Sequence, residues 1–222
     1  MTTWFKFLAT AATGPFSGFR WPTPLDRDNP GGWVRAQQPL EPCRSGLHLC
    51  RAADLPFWLH EELYIVEAAG PVVEQDTFVL AARARLLRRV RAWSPSTAYL
   101  FACECAWQVR DLTAGSLRAG GRDIDADRLD DCATMDQLLR VAQQATGSDG
   151  SSGRLAAYAV DAATFAERVR VGTDWAASSA TAAFVAATAA GVGATTGRGA
   201  ALGDELARQS QWLVDKVLPV SE

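Results

Sequence analysis

Lysine is nearly missing from this 222-residue chain, with 2 lysines against 20 arginines, and histidine occurs only twice. With abundant alanine, that usage is common in GC-rich bacterial genomes and carries no chemistry of its own. A strong charge excess is also missing. The net charge of −3 argues against a protein built mainly to hold nucleic acid, which normally carries a basic surplus. No long apolar run occurs: the Ala-rich stretch from Ala176 to Ala190 is too short and too broken by Ser and Thr to span a bilayer. There is no phosphate-binding P-loop, no Gly-x-Ser-x-Gly elbow and no His-Glu-x-x-His pair, so the motif-bearing nucleotide, hydrolase and metalloprotease classes are not signalled. No repeat of fixed period appears.

Cysteine is present but unpaired in number: Cys43, Cys50, Cys103, Cys105 and Cys132. The opening Met1-Thr2-Thr3-Trp4-Phe5-Lys6-Phe7-Leu8 lacks a basic flank followed by a long apolar core and cleavage site. Together these predict reduced thiols in a cytoplasmic protein. Cys43, His48 and Cys50, completed by Cys103 or Cys105, invite a zinc reading. The paired short spacings that place two ligands on one turn are missing, however, and small buried thiols are the preferred account, with no metal site.

A hydrophobic content of 48% with 21% charged residues describes a folded globular chain. Charge divides near Trp93: 11 Lys/Arg against 9 Asp/Glu precede that point, and 11 against 16 follow it. Periodicity changes at the same place. Before it, two-residue alternation and turn signals predict strands at Trp4–Leu8, Gly46–Cys50, Leu63–Glu67, Thr77–Ala81 and Arg85–Trp93, with Asn29-Pro30-Gly31-Gly32 read as a turn ahead of Trp33–Ala36. A short helix is expected at Ala52–His60, and Gly70-Pro71 is expected to end the Leu63–Glu67 strand. After it, Ser94-Pro95 starts a helix whose Ala98, Phe101, Ala102, Cys105 and Val109 share one face. Further helices are expected after Thr134, over Leu155–Val171, over Trp175–Ala190 behind Asp174, and over Asp204–Leu218 up to Pro219. The fold class is therefore α+β: a mixed or antiparallel β-rich domain over residues 1–93, then a helical domain over 94–222. Flexible segments are expected near 147–153 and 191–203. The two Ala-rich helices present small faces that pack inside the chain or against a second copy or protein partner; no membrane partner is expected, and nucleic acid is disfavoured.

Candidate chemistry gathers in the first half. On a strand, His48 and Cys50 point one way and Leu47 and Leu49 the other, so the imidazole faces a cleft or solvent. There it can serve as general base or hydrogen-bond a ribose, with Ser45, Glu62, Tyr64 and Glu67 as near partners. His60 falls at a helix C-terminus, a structural place. Arg83, Arg85, Arg89 and Arg91 share strand parity and can grip phosphates, although a solvated edge face is the preferred reading. Phe16, Phe19, Trp21, Trp33, Phe57 and Trp58 line a ligand pocket, stack bases or form the core of the β domain. Candidate ligand contacts are Arg44, Ser45, Trp21, Trp58, Arg85 and Arg89.

Two resemblances rest on these residues. The run from Phe5-Lys6-Phe7-Leu8-Ala9 through Gly14-Pro15-Phe16-Ser17-Gly18-Phe19, Trp21-Pro22, Pro42–Cys50 and Leu55–Leu59, with the closing Gln211-Trp212-Leu213, resembles a family of actinomycete-type proteins of unestablished function. More locally, Gly46-Leu47-His48-Leu49-Cys50, a short helix and Leu63-Tyr64-Ile65-Val66-Glu67 are similar to the strand–helix–strand unit of small bacterial domains with an ADP-ribosyltransferase-like fold. That resemblance implies NAD as cofactor, His48 in its cleft, and Tyr64 or Glu67 beside it as catalytic groups. Two expectations follow. A binding or interaction module predicts a plugged or solvent-facing His48, whereas the transferase alternative predicts a deep pocket with a carboxylate or hydroxyl bonded to it.

Overall fold

A computed structural model describes residues 3–26, 28–42, 44–147, 150–172, 174–194 and 197–218. Alternating apolar residues in the first half form five strands among the described residues: β1 (Trp4–Leu8), β2 (Val34–Arg35), β3 (Leu47–Leu49), β4 (Glu62–Glu74) and β5 (Val79–Arg89). All pairings are antiparallel. β4 and β5 make a long hairpin, β1 lines the free edge of β4, and β2 and β3 lie in succession along the other edge of β5. The two outer edges then meet. Phe5 of β1 and Cys50, just past β3, exchange both backbone hydrogen bonds at 2.9 Å. The sheet thus curls onto itself, and its inner face collects Leu8, Trp21, Leu49, Tyr64, Val66, Val79, Ala81 and Leu86. Each fully buried leucine there contributes about 1.5–3 kcal/mol relative to an exposed one.

The α+β class and the antiparallel sheet hold as read, while several boundaries differ for local reasons. Gly70-Pro71 does not end β4. Gly70 takes φ +78°, and a register shift between Ala69 and Val72 forms a bulge that absorbs the proline. The two strands expected at Thr77–Ala81 and Arg85–Trp93 are one continuous β5. The segment Ala52–Phe57 is a 3₁₀ turn that ends before Trp58, not a helix reaching His60. The arginine face is not a free solvated one. The register slips between Val66↔Leu86 and Ile65↔Arg88, so Arg89 reaches Glu62 at 3.1 Å while Arg85 meets Glu67 at 2.7 Å. Arg83 and Arg85 both lie over the Trp33 ring at 4.8 Å.

The second half is helical: α1 (Pro95–Ala119), α2 (Asp123–Asp130), α3 (Met135–Ala145), α4 (Gly150–Arg170), α5 (Trp175–Gly193) and α6 (Arg198–Val217). α2, with only Ala126 and Leu129 buried, carries little apolar periodicity. α3 opens on a capping box in which Thr134 and Gln137 satisfy each other's backbone amides. Asp174 precedes α5 without a side-chain cap, in a left-handed conformation. The flexible segment expected near 147–153 is largely helix, because α4 begins at Gly150 and Ser152 bonds the Ser116 carbonyl of α1 at 3.2 Å. The hinge expected near 191–203 shrinks to the break between Gly193 and Arg198. Ser148, Asp149, Thr195, Thr196 and the expected stop at Pro219 lie outside the described residues. α5 is long and apolar enough to cross a membrane by length and composition, yet most of it is buried, with Ala182, Ala183, Ala186 and Ala189 in the core.

The chain forms two compact units. One comprises residues up to Ser94 together with those from Ser210 onward, and the other spans Pro95–Gln209. Within the first, Ser210 Oγ donates to the Ala53 carbonyl at 2.8 Å.

The loop that precedes β2 packs on β5 through a close backbone approach. The Gly31 amide donates to Leu86 O at 2.8 Å, and a Cβ at Gly31 would collide with the Pro22 carbonyl. Gly31→Ala is therefore expected to lower unfolding free energy by about 1–3 kcal/mol, as overpacking does, measured by urea denaturation. A change within error would contradict this packing.

Candidate functional site

The curled sheet leaves a cavity of about 700 Å³, walled by Phe5, Phe7, Trp21, Val34, Leu47, Leu49 and Trp58. Its mouth carries Phe16, 90% exposed, and Phe19, 46% exposed. Arg35, Arg44, Ser17 and Ser45 supply the polar rim, and Lys6 and His48 the nitrogens. Size and lining are those of a small-molecule pocket, mostly apolar with a few polar groups.

Lys6 is the distinctive member. Alternation along β1 places it between Trp4 and Leu8, on the strand face whose neighbours join the inner apolar cluster. Its Nζ donates to the His48 carbonyl at 2.6 Å and lies 5.0 Å from the Trp21 ring centroid. No carboxylate pairs with it among the described residues. The buried Glu62 is already engaged: it accepts from the Ala12 amide at 2.9 Å and the Tyr64 hydroxyl at 3.0 Å, and it pairs with Arg89. Burial lowers the Lys6 pKa to about 8, with the nearby Cys50 pulling the other way. The Cys50 thiol, itself buried, is pushed up to about 12 and stays protonated. Burial and the Lys6 charge both lower the His48 pKa, favouring neutral imidazole.

Local sequence explains these positions. After β1 the chain turns through Ala11 and Ala12, both left-handed at φ 59° and 54°. That conformation is costly for alanine, and the Glu62 carboxylate holds it by accepting the Ala12 amide. The Ala12 carbonyl in turn accepts the Trp21 amide at 2.9 Å, setting the indole over Lys6. Gly46, at φ +135°, begins β3 where a Cβ would press on Leu80. Arg51 fastens the far side, reaching Asp54 at 2.6 Å and the carbonyls of Gln75 and Asp76 at 2.8 Å. Trp58 Nε1 bonds the Thr77 carbonyl at 2.7 Å, so the β4–β5 turn holds Phe78 against His48.

The residues expected to act together are dispersed. The His48 ring stacks at 4.9 Å on Phe78 and 6.3 Å from Trp58, and among the described residues its nitrogens bond no carboxylate or hydroxyl. Tyr64 sits on the inner face with Glu62, while Glu67 pairs with Arg85 on the opposite face. Ser45 is tied to the Pro39 carbonyl and the Glu41 amide; Arg44, its side chain 81% exposed, pairs with Glu41. Trp21, Trp58, Arg44 and Ser45 do line the cavity, whereas Arg85 and Arg89 are engaged elsewhere in ion pairs. Cys43 lies outside the described residues. Among those described, no three His, Cys, Asp or Glu gather as a metal site.

Lys6 was missed by sequence reasoning, though a signal was present: one of only two lysines in an arginine-rich chain stands at a core-parity position inside an aromatic strand. A lowered lysine pKa means that the unfolded chain binds the proton more readily between about 8 and the ordinary 10.5, so the charged amine opposes folding at neutral pH. Lys6→Met is accordingly expected to raise the Tm at pH 7, with the gain shrinking as pH rises through 8 and disappearing near 10.5. An equal gain at every pH would contradict the assignment. No family model matches the chain, and no curated protein or solved structure matches it either.

Proposed function

We propose that the N-terminal unit is a binding module that holds a small, largely apolar molecule in the cavity of its curled sheet. The observation that carries this reading is a cavity of about 700 Å³, lined mostly by apolar and aromatic residues, that also exposes a cation with no carboxylate partner among the described residues. Apolar walls supply affinity by removing ligand surface from water, and a few polar groups set orientation. A half-buried lysine without a carboxylate partner costs stability, and such a cost is tolerated where binding uses the charge. The NAD-transferase alternative requires a carboxylate or hydroxyl bonded to His48, and the ring is instead packed between two aromatics.

A neutral environment-sensitive dye, N-phenyl-1-naphthylamine, tests the module reading directly. Saturable binding at one site per chain is expected, with Leu47→Trp filling the cavity and weakening it by about tenfold or more, the scale of one lost buried side-chain contact. Absent saturation, or binding indifferent to Leu47→Trp in a folded variant, would overturn the proposal.

A further inference from the structure

The chemistry around Lys6 narrows the ligand class. We infer that the cavity takes a molecule with an apolar body and a single carboxylate, the acid group seated on the Lys6 ammonium beneath Trp21. This rests on the cavity being a binding site and goes further by assigning the head group.

The groups facing Lys6 from every packed element support the assignment. From the β3 side come the His48 carbonyl, which takes one of the three ammonium protons at 2.6 Å, and the protonated Cys50 thiol. From β4, Tyr64 stands opposite Lys6 in register, but its hydroxyl is turned to Glu62. Glu62 itself is held by Arg89, Tyr64 and the Ala12 amide. From the loop, Trp21 offers only its ring. The ammonium thus keeps donor capacity and an uncompensated charge, and no described side chain supplies the anion. A ligand carboxylate does so with charge-assisted hydrogen bonds, which gain strength where water is excluded.

A cationic head group is disfavoured by Lys6 itself and by Arg35 and Arg44 at the rim. A neutral hydroxyl can accept a hydrogen bond but leaves the charge unbalanced. A phosphate, carrying more charge, needs several donors converging on one point, whereas beside the Lys6 ammonium stand the Trp21 ring and a backbone carbonyl, and Arg44 is held at the rim by Glu41. One carboxylate on an apolar body fits both the charge and the lining.

The matched probes are dodecanoate and 1-dodecanol, both read by displacement of N-phenyl-1-naphthylamine from the full chain. Near neutral pH, dodecanoate is expected to displace the dye at about tenfold lower concentration than the alcohol or better, the usual scale of one buried charge-assisted bond. The acid is ionised above about pH 5, so its advantage persists up to about 8 and declines as pH rises further and Lys6 loses its proton. The alcohol shows no such decline. Lys6→Met is expected to reduce the acid to the level of the alcohol while the alcohol keeps its affinity. Should that variant fail to fold, the wild-type pH profile decides. Equal displacement by acid and alcohol, flat with pH, would overturn the carboxylate assignment while leaving the cavity as a binding site. Displacement by neither probe while the dye binds would also overturn it, and failure of the dye to bind would remove the underlying reading.

Discussion

Two backbone hydrogen bonds between Phe5 and Cys50 determine the character of this protein. Without them β1 and the β3 segment are the two open edges of a five-stranded sheet, and the face bearing Lys6 looks onto solvent. With them the sheet curls, that face becomes the wall of a cavity, and a lysine that would otherwise be hydrated sits against Trp21 and a backbone carbonyl. The same pair also buries the Cys50 thiol, keeping it protonated and chemically quiet.

Everything near the cavity is held by groups that are already satisfied. Glu62 stabilises the left-handed turn at Ala12 and the Tyr64 hydroxyl, Arg51 ties down the β4–β5 turn, and Trp58 and Phe78 enclose the His48 ring. Lys6, by contrast, has no carboxylate partner among the described residues. A cation kept in an apolar lining without a carboxylate partner among the described residues departs from local consistency, and such departures mark functional sites. The rim arginines Arg35 and Arg44 add positive potential at the mouth, which draws anions toward the opening.

Much of the architecture was legible in the chain. The change from two-residue to helical periodicity near Trp93 announced the α+β order, and Thr134 announced the start of α3. What was illegible depended on tertiary compensation. Gly70-Pro71 reads as a strand end until the bulge opposite β5 is known, and the Ser151-Ser152-Gly153 run reads as a linker until its bonds to α1 are seen. The arginines of β5 read as one face because strict alternation hides the slip that turns Arg89 to Glu62. At the site, Trp21, Trp58, Arg44, Ser45 and His48 line one cavity, whereas Arg85 and Arg89 of the same expected set do not, and Tyr64 and Glu67, both expected beside the histidine, occupy opposite faces of β4. Lys6 escaped notice because attention to histidine and cysteine follows chemical reactivity, whereas the telling feature was a rare residue type at a core position.

Lys6 lines the apolar cavity as a half-buried cation with no carboxylate partner among the described residues, and with only two lysines in the chain the ε-methylene NMR signals are readily assigned. A pH titration of the Lys6 Cε shift in the free protein is expected to show a midpoint near 8. A midpoint at the ordinary 10.5 or above would mean that the amine is hydrated or paired with a carboxylate, and the account would fail.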